Sequence, residues 1–208
     1  LVGDYIYLTE KDRLCIPVPF FHCFGCVMGT IASVTHGTTM VIIEQFNPGK
    51  VLQIVQDEKC TALHGVPTMF IAELNHPDFK QFKLSTLRTG IMAGSICPIE
   101  VMKKVITDMG ASEITIAYGQ TESSPVITQT KTDDPIEKRV SSVGKPHPAV
   151  EVKIIDPITG EDTPTGVPGE LCTRGYLVMK GYYKNEQATK TAIDPNGWLH
   201  TGDIAVVD

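Results

Sequence analysis

The stretch Ile114–Val126, "ITIAYGQTESSPV", changes character halfway along, and that change decides the fold. Ile114 to Ala117 are apolar or β-branched and favour a short strand. The polar residues from Tyr118 onward then read as the loop that leaves it. Upstream, strand-like and helix-like segments alternate back to Arg13, the signature of βαβ units around a largely parallel sheet. "RLCIPVP" and "TTMVII" are strands, and the helix "FFHCFGCVMGTIASVTHG" between them closes at Gly37. "NPGKVLQIVQDEKC" has Pro48 near a helix start, with Val51, Leu52, Ile54 and Val55 on its buried side. "TALHG" leads into "VPTMFIAEL", which has Pro67 in its first turn. "TLRTGIMAGS" begins as a strand, and Pro98 opens a helix in which Ile99, Met102, Val105, Ile106 and Met109 share a face before Gly110 ends it. In open parallel sheets ligands bind outside the carboxyl ends of the strands. The loop at Tyr118 is thus a candidate site by position alone.

Downstream of Thr130 the texture shifts to Pro, Gly and Asp turns between short alternating strands, with "VEVKIID" and "GELCTRG" as antiparallel partners. The expected fold class is therefore α/β, a largely parallel sheet flanked by helices, followed by a small β-rich, barrel-like subdomain. The boundary is placed in "KTDDPIEKRVSS", giving an α/β part over 1–138 and a β-rich part over 139–208. The chain's 208 residues, 42% of them hydrophobic, can bury a substantial core. A formal net charge of -6 argues against general affinity for nucleic acid or anionic membrane and directs attention to a small-molecule partner. No apolar run reaches the length of a membrane span, and no secretory leader pattern opens the chain, so a cytoplasmic location is expected, or an organelle whose signal has been removed. The six cysteines are scattered in a chain too large to need disulfides, which suits a reducing compartment. Cys23 and Cys26 form a C-x-x-C without a second ligand pair at zinc spacing, so both are expected to be free, buried cysteines.

"AYGQTESSPV", "SVGKPHP", "GYYKNEQATKTAI" and "GWLHTGD", in that order, resemble the adenylate-forming superfamily and its fatty-acyl-CoA synthetase branch. The resemblance covers nearly the whole chain and implies an ATP-dependent acid–thiol ligase. Such an enzyme joins a fatty acid of medium or long chain to AMP, releases pyrophosphate, and passes the acyl group to coenzyme A. Charge builds on phosphate oxygens in the first step, which calls for a metal, hydrogen-bond donors and positive charge around them. The resemblance assigns Glu122 to Mg²⁺ and Thr121 to the α-phosphate, with Tyr118 stacking on adenine and Gly119 allowing close backbone approach. Asp203 of "HTGD" would accept hydrogen bonds from the ribose hydroxyls; Ala93, Gly94 and Ser95 would form the turn under adenine. His22 of "PFFHCFG" would lie near the acyl tunnel and the reacting carboxylate, although a histidine among apolar residues also serves as a core residue. Val66, Gly90 and Met92 border segments that line the acyl pocket in relatives, and no other histidine has metal-ligand spacing.

The resemblance also implies parts that this sequence lacks: a Ser/Thr/Gly-rich phosphate loop with its lysine upstream, and a ribose-contacting arginine and a catalytic lysine downstream. The 208 residues are thus expected to be a piece of a longer chain that folds without turning over. Two alternatives remain. An adenylation domain loading an amino or aryl acid onto a carrier protein would share the site residues, but "FFHCFG", "HGVPTMF" and "RTGIMAGS" hold no acidic residue to meet an ammonium group. A non-catalytic nucleotide-binding module is opposed by the intact Thr121, Glu122 and Asp203.

Overall fold

Five parallel strands make up most of a seven-stranded sheet in the computed structural model, which describes Leu1–Asp208. They are β1 (Arg13–Ile16), β2 (Thr39–Ile42), β3 (Ala62–Gly65), β4 (Thr89–Ala93) and β5 (Glu113–Tyr118). Two short strands, β6 (Thr128–Gln129) and β7 (Lys145–Pro146), complete the order β2-β1-β3-β4-β5-β6-β7, with β6 antiparallel to β5. The helices of this part are α1 (Val2–Tyr5), a π-helix over Phe24–Ile31 that continues into α2 (Ala32–His36), α3 (Pro48–Asp57), α4 (Pro67–Leu74), α5 (Ile99–Asp108) and α6 (Ile136–Ser141).

Local chemistry accounts for the helix limits. The Asn47 side chain accepts the Lys50 N–H at 2.9 Å ahead of Pro48, Pro67 opens α4, and Gly37 closes α2 in the left-handed region. The helix expected over Phe20–Gly37 is present only from Phe24, and its first eight residues are wound as a π-helix. Gly25 and Gly29 seat it against the chain leaving β1. A Cβ at Gly25 would lie 2.5 Å from the Pro19 carbonyl oxygen, and one at Gly29 would lie 3.2 Å from Ile16.

Val51, Leu52 and Val55 of α3 and Met102 and Val105 of α5 pack with Leu63, Phe70, Met92 and Ile114 in one core. The predicted apolar faces are narrower than their spacing implies. Ile54 and Ile106 are only partly buried, and Ile99, in the first turn of α5, is exposed. At the amino ends of the strands, Arg88 binds buried Asp12 at 2.7 Å and Glu113 at 2.5 Å, while Thr61 Oγ1 donates to Asp12 at 2.7 Å. One charged cluster thus ties together the starts of β1, β3, β4 and β5.

The β-rich part is a three-stranded antiparallel sheet of β8 (Val150–Ile155), β9 (Gly169–Gly175) and β10 (Leu199–Ala205), ordered β10-β9-β8, with α7 (Glu186–Ala192). The two segments read as partners pair in continuous register from Val150↔Gly175 to Ile155↔Glu170. The chain divides into two compact units, Leu1–Tyr118 with Thr128–Lys145, and Gly119–Ile127 with Pro146–Asp208. A boundary after residue 138 would fall inside α6, and the loop Gly119–Ile127 is grouped with the second unit. Two backbone bonds within that unit hold it: His147 N–H to Ile127 O at 3.1 Å and Met179 N–H to Glu122 O at 2.8 Å.

Candidate active site

In the first unit the strand order reverses direction between β1 and β3, the switch point at which doubly wound sheets leave a crevice for ligands. The segment after β1 carries His22, and β3 ends at Gly65 beside Val66. His22 is exposed, unlike a core histidine. Its Nδ1 accepts the Phe24 N–H at 3.1 Å at the start of the π-helix and lies 3.6 Å from Cys23 Sγ. His64 is the core histidine of the region: its Nε2–H donates to Met28 O at 3.2 Å, and burial pushes its pKa down to about 4. Gly90 and Met92, associated with the acyl pocket by resemblance, lie buried in β4.

Ala93 pairs with Ala117 across the parallel strands β4 and β5. Tyr118, expected to begin the loop, is instead the last residue of β5, because Thr128 of β6 pairs with it; half-buried there, it stands at the same edge of the sheet as the exposed Gly94 and Ser95 that follow β4. Small residues on one strand and an aromatic face on the next can hold a flat ring.

In the second unit, Gly119 to Ile127 form a tightly wound loop. Gly119 has φ 157°, and a Cβ there would lie 1.9 Å from Pro125 O, so the close approach requiring glycine is to the loop's own carbonyl. Buried Ser123 staples the turn, with its Oγ accepting the Gln120 N–H at 3.0 Å and lying 2.8 Å from Gln120 O and 3.2 Å from Pro125 O. Thr121–Ser123 form a single 3₁₀ turn that leaves Thr121 exposed and Glu122 half-buried. Glu122 Oε1 accepts the Tyr182 hydroxyl at 2.7 Å, and that bond holds the phenol's pKa above its ordinary value. Asp203 stands exposed on β10, its N–H donating to Thr201 Oγ1 at 3.2 Å.

A family model described as AMP-binding enzyme matches residues 2–183. The chain belongs to the AMP-binding enzymes. The chain is 60% identical over 207 residues to "Putative acyl-CoA synthetase YngI" of Bacillus subtilis (strain 168); the match covers 100% of the chain and 38% of YngI. It is 42% identical over 213 residues to the mitochondrial medium-chain acyl-CoA ligase ACSF2 of Rattus norvegicus, covering 100% of the chain and 35% of that protein. Its fold superposes on an ATP-bound RpMatB-BxBclM chimera with a TM-score of 0.88 and 27% identity, over 100% of the chain and 40% of the chimera. The chain thus spans little more than a third of the length of these curated relatives.

Sequence reasoning singled out Glu122 but missed the two side chains that fix it locally. Tyr182 lay in view within "GYYKN", whereas its bond to a residue sixty positions away left no local signal. Ser123 carries no sequence signal of its own, since its burial and bonds arise from the way the loop closes on itself. The six cysteines are all free, but Cys23 and Cys26 are not buried as expected: the π-helix turns Phe24, Gly25, Met28 and Gly29 inward, which leaves Cys23 half-buried and Cys26 exposed. Glu170, Cys172 and His200 place their ligand-type atoms within 4.8 Å of one another. Burial first, and then the Glu170 charge, push the Cys172 thiol up to about 11, so it is protonated and poorly suited to act as a nucleophile. No helix of the chain is long and apolar enough to cross a membrane.

Proposed function

We propose that this chain is the central part of an AMP-forming acyl-CoA synthetase acting on a medium- or long-chain fatty acid. The observation that carries the reading is Glu122, a half-buried carboxylate on the loop after the last parallel strand, aimed by Tyr182 and anchored through its carbonyl to Met179. The acyl-CoA ligases among its relatives supply the reaction class.

In the first step a carboxylate oxygen of the acid attacks the α-phosphorus of ATP and pyrophosphate leaves. In the second, the thiolate of coenzyme A attacks the acyl carbon and AMP leaves. Tyr118 stacks on adenine over the turn Ala93–Ser95, and Asp203 accepts from the ribose hydroxyls. The exposed Thr121 hydroxyl donates to an α-phosphate oxygen. His22 keeps Nε2 for the acid's carboxylate, because Nδ1 is committed to the Phe24 N–H. One hard carboxylate fits Mg²⁺, which keeps several waters and phosphate oxygens as ligands; held at Glu122, it would neutralise charge on the phosphates. Glu122 presents two oxygens, of which Tyr182 occupies one.

A plain acyl chain is favoured over an amino acid. The segments proposed to line the pocket carry no acidic side chain, and their one cation, Arg88, is bound to Asp12 and Glu113. The free cysteines support a reducing compartment, and the cytoplasm is the proposed location. The test is acid-dependent ATP–pyrophosphate exchange by the full-length protein, across straight-chain acids of increasing length and the common amino acids. Exchange peaked at one fatty-acid length is expected. Exchange with amino acids alone would replace the substrate class, and none with any acid would reduce the chain to a nucleotide-binding module.

A further inference from the structure

The strand segment that carries Asp203 is bent, and a side chain from the neighbouring strand holds the bend. Between the pairs His200↔Cys172 and Ile204↔Glu170, Leu171 of β9 alone faces Thr201, Gly202 and Asp203 of β10. Three residues opposite one force β10 out of the ladder, and Gly202 takes up φ 76° at the apex. Glu170 spans the bulge. Its Oε1 accepts the Gly202 N–H at 2.9 Å, and its Oε2 accepts from His200 Nδ1 at 3.0 Å. Thr201 Oγ1 donates to Leu171 O at 2.7 Å and accepts the Asp203 N–H, which carries the constraint to the aspartate itself. The Glu170 side chain is 15% exposed, shielded enough from solvent for these charge-assisted bonds to hold a geometry. Both of its oxygens serve the bulge, while the β8–β9 ladder runs on backbone bonds. Bulges re-aim side chains, and the side chain at the end of this one is the proposed ribose ligand.

We propose that Glu170 is a positioning residue for nucleotide recognition: by gripping the bulge at His200 and Gly202, it sets the direction of the Asp203 carboxylate toward the ribose hydroxyls. The proposal rests on the assignment of Asp203 to ribose. A ligand held in place before binding loses less freedom on binding, which is how a residue without substrate contact alters affinity.

The test compares equilibrium binding of ATP and 2′,3′-dideoxy-ATP by the full-length protein and by its Asp203→Ala, Glu170→Ala, Glu170→Gln and Glu170→Ala/Asp203→Ala variants. Asp203→Ala is expected to abolish the preference for ATP. Glu170→Ala is expected to cut that preference about tenfold while dideoxy-ATP binds as before, which also reports that the variant is folded. The double variant should lose no more than Asp203→Ala alone, because both changes remove one interaction. Glu170→Gln keeps an oxygen for Gly202 and should fall between wild type and Glu170→Ala; it decides the matter if the alanine variant does not fold. An unchanged preference in Glu170→Gln, equal losses for both nucleotides, or an additive double variant would overturn the proposal. Preference retained in Asp203→Ala would instead overturn the ribose assignment beneath it.

Discussion

Glu122 and His64 show how differently two titratable side chains are used. Glu122 is held half-open by a phenol and a backbone bond, so Glu122→Gln should lower pyrophosphate exchange in the full-length protein by about 10²-fold without altering its thermal unfolding. Tyr182→Phe should cost less, since it frees the carboxylate without removing it; a larger loss would show that the phenol itself meets substrate. His64 is buried and neutral, its pKa lowered from 6.5 to about 4. The folded state therefore binds fewer protons than the unfolded state between those values. Stability should fall on acidification from about pH 6.5 to about 4 by roughly 3 kcal/mol, and His64→Gln should flatten that part of a denaturant-midpoint profile. Glu73 has the opposite sign. Burial raises its pKa well above 4.5, and Oε2 finds no hydrogen-bond partner, so its stability contribution is present at low pH and lost as the pH rises above about 4.5. Glu73→Met should stabilise the protein near neutral pH by about 1–3 kcal/mol, measured by urea unfolding.

At the scale of elements, the two ends of the parallel sheet do different work. The amino ends are tied by Arg88, Asp12, Glu113 and Thr61, while the carboxyl ends carry Ala93 and Tyr118 as last strand residues and lead into the segments with His22, Gly94 and Ser95. Burial raises the Asp12 pKa, but hydrogen bonds from Arg88 and Thr61 outweigh it and leave the value below 3.8. That contribution is present above the ordinary carboxylate range and lost as the pH falls through it. Arg88→Met removes the cation and leaves a buried, unpaired carboxylate, so it should cost about 3–5 kcal/mol at neutral pH, less in acid, as read by urea unfolding. The cost should fall on stability and leave ATP affinity of the folded fraction unchanged. The strands and helices of the first unit were legible because Pro48, Pro67, Gly37 and the apolar spacing act locally. The π-helix was not: Gly25 and Gly29 pack against residues outside it, and the spacing of its apolar residues does not mark the wider turn.

At the scale of the whole molecule, the isolated 208 residues should fold without making acyl-AMP, as checked by chromatography after incubation with ATP, Mg²⁺ and fatty acids. The site proposed for this chain counts one carboxylate for Mg²⁺ and no lysine among its residues, whereas the transition state calls for several such partners. Acyl-AMP production above the level of a Glu122→Gln control would overturn that reading. The order of the elements, the parallel sheet, the β8–β9 pairing and the motifs at Tyr118 and Asp203 were determined by the sequence alone, because period, capping and turn chemistry act over a few residues. Tertiary structure alone decided that Gly119–Ile127 groups with the second unit, that Tyr182 holds Glu122, and that Glu170 grips the Asp203 bulge. Each depends on hydrogen bonds between residues far apart in the chain, and such bonds leave no periodic trace in the residues that make them.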